Sequence, residues 1–95
     1  MTNKEYILDF LSMHYGQNIH SEDEIRIKKM LECCGVLLTY EEIRKTIAEL
    51  LEEELIFVVG RWSSISNEPE TDWYAITEKG WETWKKIEWQ DEEGS

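Results

Sequence analysis

The sequence predicts a small mixed α+β domain, helical at both ends, with one β-hairpin in its second half. Three observations carry this. Helix-start signals occur at four places, each followed by apolar residues at helical spacing. Between the third and fourth lie Leu55-Ile56-Phe57-Val58-Val59 and Trp73-Tyr74-Ala75-Ile76, two β-branched and aromatic runs. The stretch separating them is polar and holds the single proline, Pro69. The length of 95 residues and the 41% hydrophobic content suit one core and no more.

The elements follow in order. Thr2-Asn3-Lys4-Glu5 fits a capping box, in which a hydroxyl and a carboxylate satisfy two otherwise orphaned amides. Its helix presents Tyr6, Ile7, Phe10, Leu11 and His14 on one face and stops at Gly16. Gln17 to His20 can add a short strand. Ser21-Glu22-Asp23-Glu24 reads as a second box, whose helix buries Ile27, Met30, Leu31 and Cys34 and ends at Gly35. Thr39-Tyr40-Glu41-Glu42 is a third, with Leu38 and Ile43 placed as a hydrophobic staple, and the spacing predicts a helix over 39–54. A hairpin over 55–62 and 72–77 follows. Thr77 caps the last helix, with Gly80 where a complete box would have Glu or Gln. On the return strand Tyr74 and Ile76 are expected to face inward and Trp73 outward, beside Phe57 and Val59. Residues 1–90 read as a single domain and 91–95 as an acidic disordered tail.

Charge narrows the function. There are 21 acidic and 10 basic residues, a net charge of -11. Such a chain is not a nonspecific coat for a polyanion. No apolar run approaches the ~20 residues of a membrane span, and the N-terminus lacks a signal-peptide pattern, so a cytoplasmic protein without membrane contact is expected. Cys33 and Cys34 are adjacent and point about 100° apart on a helix. With His14 and His20 they lack the spacing of a zinc site, so no metal and no cofactor are expected. They read as reduced thiols, at least Cys34 buried. No Gly-rich phosphate loop and no nucleophile–base grouping stands out, which predicts a non-enzymatic protein.

At this point the chain resembles the winged-helix family, a helix-turn-helix with a β-hairpin wing. Residues 38–56 look like its third helix running into the first wing strand. Tyr74-Ala75-Ile76-Thr77-Glu78-Lys79-Gly80-Trp81 looks like the return strand and its turn into a C-terminal helix, as in many small bacterial and phage regulators. The resemblance implies a winged helix-turn-helix fold with a three-helix core. It also implies DNA as partner, the third helix lying in the major groove. Carried over, the exposed third-helix positions are Tyr40, Glu41, Arg44, Lys45, Ala48 and Glu49. Tyr40, Arg44 and Lys45, with Arg61 at the wing and Lys28 and Lys29 on the second helix, become the nucleic-acid-binding candidates. A structural reading stands beside this: Glu41, Lys45 and Glu49 form an i, i+4 ladder on a solvated face.

Residues 24–62 carry six basic and eight acidic side chains, whereas the rest carry four and thirteen. The negative charge thus lies mostly outside the presumed reading head. Glu68, Glu70 and Asp72 depart from the family pattern, standing where a DNA-binding wing usually carries Lys or Arg. Five tryptophans are also many for one small core. Either the last helix folds back over them, or Trp73, Trp84 and Trp89, with Phe57, form a protein interface. Trp84 and Trp89 are five residues apart, about 140° on a helix, which predicts a homodimer through the C-terminal segment. Two functions therefore stand: a DNA-binding transcription regulator, and an acidic protein-binding module. The second would be an inhibitor, immunity-type protein or phage-encoded antagonist offering negative charge to a basic partner.

Overall fold

Thr2 opens the first helix as its sequence predicts. The Thr2 hydroxyl accepts from the Glu5 amide at 3.2 Å, and the Glu5 carboxylate accepts from the Thr2 amide at 3.0 Å. In the computed structural model, which describes residues 2–13 and 21–93 with side chains to residue 87, seven elements follow one another. They are α1 (Asn3–Ser12), β1 (Glu22–Asp23), α2 (Glu24–Cys33), α3 (Tyr40–Glu52), β2 (Ile56–Trp62), β3 (Thr71–Ile76) and α4 (Glu78–Glu93). This is the α+β, helix-turn-helix-plus-hairpin order the sequence predicts. The expected end at Gly16, the strand over Gln17–His20, and His14 lie outside the described residues.

The second box is not used. Glu22 and Asp23 are extended and pair with β3, Glu22 opposite Tyr74 and Asp23 opposite Trp73. That pairing removes from the helix the two residues a cap at Ser21 would have placed in it. Asp23 caps α2 instead, its carboxylate accepting from the Arg26 amide at 3.0 Å. The sheet is antiparallel in the order β1-β3-β2, with an irregularity between Val58 and Gly60.

α2 and α3 end alike. Val36 N–H reaches Leu31 C=O at 2.8 Å and Gly35 N–H reaches Glu32 C=O. Leu55 N–H likewise reaches Leu50 C=O, and Glu54 N–H reaches Leu51 C=O, all three at 3.0 Å. Both are Schellman ends, which need a left-handed residue just past the helix. Gly35 supplies one with φ 82°; Glu54 supplies the other with φ 61°, despite its side chain. Cys34 sits at the α2 cap, and both cysteines are exposed, so the expected burial of Cys34 is corrected. The chain turns at Gly35 before Cys34 can be covered, and Val36 packs on the core in its place.

Thr77 is a joint between three elements. Its hydroxyl accepts from the Gly80 amide at 2.9 Å and donates to Glu54 C=O at 2.7 Å. A Cβ on Gly80 would stand 2.0 Å from the Leu55 carbonyl oxygen, so the Thr-x-x-Gly spacing lets α4 start directly against the α3–β2 corner. α4 runs to Glu93, three residues into the segment expected as a tail.

The core gathers Ile7, Leu8 and Leu11 from α1, Ile27 and Leu31 from α2, and Ile43, Ile47 and Leu50 from α3, closed by Leu55, Ile56 and Ile76. Trp81 and Trp84 are half-buried against it and stack with centroids 5.0 Å apart. The Trp84 indole also donates to Asp9 Oδ1 at 2.9 Å. Among the described residues no helix is long and apolar enough to cross a membrane.

Candidate nucleic-acid interface

The start of α3 fixes the first side chains of the site. The Thr39 hydroxyl accepts from the Glu42 amide, and the Glu42 carboxylate accepts from the Thr39 amide, both at 3.1 Å. This locks the first turn, so Tyr40, Arg44 and Lys45 emerge on the solvent side while Ile43, Thr46 and Ile47 go inward. Tyr40 is 38% exposed. Lys28 Nζ lies 5.5 Å from its ring centroid and the Arg44 guanidinium carbon 5.6 Å, so α2 and α3 share a cation–aromatic cluster.

Most of the cations there already have carboxylate partners. Arg44 donates from Nε to Glu24 Oε2 at 2.8 Å and from Nη2 to Glu24 Oε1 at 3.0 Å, a two-bond fork from α3 to the first residue of α2. That bond and the Glu24 charge raise the Arg44 pKa above its ordinary value. Lys28 pairs with Glu32 at 2.6 Å, and Arg61 with Asp72 at 3.2 Å. Lys29 and Lys45 are exposed and carry no ion pair among the described residues, so the Glu41–Lys45–Glu49 ladder does not form. A cleft of about 370 Å³ between this surface and the wing is lined by Glu24, Arg44, Arg61, Asp72 and Tyr74 among others. Burial, then the Asp72 and Glu24 charges, raise the Tyr74 phenol above its usual range.

A second polar cluster fixes the wing relative to α2. The Asp23 side chain, 1% exposed, accepts from Arg26 Nη1 at 2.8 Å and from the Thr71 hydroxyl at 2.7 Å, besides the cap bond. Burial alone would raise its pKa; the hydrogen bonds from Thr71 and Arg26 outweigh it and hold the carboxyl below its usual value. Arg26 also donates to Ser64, pairs with Glu68 at 2.8 Å, and lies 4.9 Å over the Trp73 ring. Trp73 stacks on Trp62 with planes 5° apart and donates from Nε1 to Trp62 C=O at 2.9 Å.

The structure thus brings five of the six nucleic-acid candidates, Lys28, Lys29, Tyr40, Arg44 and Lys45, onto α2 and α3. It places the sixth, Arg61, across the cleft on the wing. The interface candidates do not stay together. Trp73 faces away from Tyr74 and Ile76 as expected, but it is only 7% exposed, because Arg26 and Trp62 cover it. Trp84 is tied to α1, Phe57 is 47% exposed on β2, and the Trp89 side chain lies outside the described residues. Three residues of the site, Asp23, Glu24 and Arg26, are not among the candidates from sequence, although Arg26 is one of the six basic residues of 24–62. Asp23 and Arg26 have the three-residue spacing of a cap and its paired neighbour, a readable signal. Glu24 and Arg44 are twenty residues apart and give none.

Neither a protein-family model nor a curated protein matches this chain. Solved structures do match its fold. A PadR-like transcription factor from Bacteroides fragilis aligns with TM-score 0.75 at 16% identity, over 95% of this chain and 80% of its own. Bacillus subtilis PadR in complex with operator DNA gives TM-score 0.69 at 15% identity, over 88% and 45%. Lactococcus lactis ZitR gives 0.66 at 21% identity, over 97% and 58%, so this chain spans about half the length of the last two. The fold is a winged helix, similar to PadR-like regulators.

Proposed function

We propose that the chain is a non-enzymatic, cytoplasmic DNA-binding regulator that inserts α3 into the major groove and holds DNA between α2, α3 and the wing. The observation that carries this reading is the cluster of Lys28 and Arg44 about the exposed Tyr40 ring, which joins α2 to the start of α3, with Lys29 and Lys45 exposed on the same two helices. Lys29 and Lys45 have no carboxylate partner among the described residues, in a chain that is otherwise strongly acidic. A helix presented in this way is the groove-reading element of helix-turn-helix proteins. The likeness to a PadR solved with operator DNA points the same way.

The test is retention of genomic fragments at low salt by the wild type and by Arg44→Ala/Lys45→Ala. The wild type retains fragments and the double variant does not. If the wild type retains none, the alternative takes over: an acidic module for a basic protein. That alternative has its own support. Arg26, Lys28, Arg44 and Arg61 are each held by a carboxylate of this chain, and the outer surface keeps its negative excess.

A further inference from the structure

The fork between Glu24 and Arg44 does more than neutralise charge. It engages the Nε/Nη2 side of the guanidinium and leaves free one N–H on Nη2 and both on Nη1. The free end therefore still presents two parallel donors. Three restraints aim it: the two bonds to Glu24, and the Tyr40 ring at 5.6 Å. The Arg44 side chain remains 63% exposed while Glu24 is only 18% exposed, so the carboxylate sits behind the arginine.

We infer that Arg44 is a guanine-reading residue and Glu24 its positioning residue; this rests on the DNA-binding reading above. Guanine alone offers two acceptors, N7 and O6, to a two-donor fork in the major groove. Adenine and cytosine place an amino donor against it, and thymine offers one acceptor beside a methyl group. Phosphate also accepts a fork, but Glu24 cancels the arginine's charge and repels a phosphate, which weakens that competitor. The pair therefore contributes base discrimination and little nonspecific attraction.

The experiment selects binding sites from a randomised duplex library at low salt, using the wild type, Glu24→Gln and Arg44→Lys. An amide presents one acceptor where the fork needs two, so Glu24→Gln frees Arg44 without removing it. The wild type should prefer guanine at one position of the site by about ten- to a hundredfold over the other bases. Arg44→Lys should lose that preference. Glu24→Gln should lose most of it while binding random duplex as well as or better than the wild type, an opposite movement that a merely structural residue would not produce. Replacing that guanine with 7-deazaguanine, which lacks the N7 acceptor, should weaken only the wild type. Unchanged guanine preference in either variant overturns the inference and leaves DNA binding standing. No duplex retained by the wild type overturns the functional reading itself.

Discussion

Replacing Asp23 by alanine removes three interactions at once, and their sum can be worked from the geometry. Loss of the α2 cap costs about 1 kcal/mol. The Thr71 hydroxyl, buried beside it, loses its acceptor, worth about 1–2 kcal/mol for an unsatisfied buried group. Arg26 loses one carboxylate but keeps Glu68 and is a quarter exposed, so that loss is roughly 0.5 kcal/mol. The expected destabilisation is about 3 kcal/mol, a fall in Tm of roughly 12–24 °C for a domain of this size. Urea and thermal unfolding measure it directly. Thr39→Ala, which removes an exposed capping box, is the internal control, with an expected loss of about 1 kcal/mol. If Asp23→Ala falls no further than Thr39→Ala, Asp23 does not join α2 to the wing.

The same carboxyl makes a prediction about acid. Its folded-state pKa lies below the unfolded value, so its contribution is full above the ordinary carboxylate range, about pH 4. It is lost as pH falls through the lower, folded value. Asp23→Asn can still cap but carries no charge, and its deficit relative to the wild type should shrink on acidification in urea midpoints taken from pH 7 downward. A deficit that grows on acidification would contradict the direction of the shift.

The remaining predictions are independent of that cluster. Glu54→Gly should stabilise by about 0.5–1 kcal/mol by relieving a left-handed backbone, and Gly80→Ala should destabilise strongly through its clash with Leu55; melts of both decide it. With two lysines, Lys29 and Lys45, exposed and without an ion pair among the described residues, the slope of log binding constant against log salt should be about -2 per chain, against about -5 were all six cations of 24–62 free; a titration of binding against salt reads it. Sedimentation across a salt series should show a dimer that strengthens with salt and that Trp89→Ala weakens more than Trp73→Ala; a strict monomer at high concentration and salt refutes it.

What was legible in the sequence was what is decided locally. Thr2, Thr39 and Thr77 cap because a hydroxyl reaches an amide three residues on, and nothing distant competes. Gly80 was readable as part of a family ending, though its physical reason, the Leu55 carbonyl, is visible only in the fold. Ser21 failed as a cap because a strand pairing with residues fifty positions away claimed Glu22 and Asp23 first. Trp73 failed as an exposed ring for a related reason. Alternation along a strand tells which face a side chain takes, not whether another element covers that face. Here Arg26 and Trp62 do, and Arg26 is held in place by Asp23 and Glu68. Arg44 was readable as exposed and basic, whereas its restraint by Glu24 depends on the approach of α2 to α3.

The acidic excess takes on a different meaning once these pairs are seen. Asp23, Glu24, Glu32, Glu68 and Asp72 each hold a cation of the helix-turn-helix or the wing, so part of the negative charge builds the proposed reading head. A head neutralised in this way gains little from phosphate attraction alone. On the proposed DNA-binding reading, affinity would come instead from base contacts and from two linked chains engaging two half-sites, since linking two weak modules multiplies their binding without any new contact. If that reading holds, a winged helix with this charge arrangement would depend on pairing of chains more than a basic one would. Forced monomers should then lose more DNA affinity than the Glu24–Arg44 contact can restore.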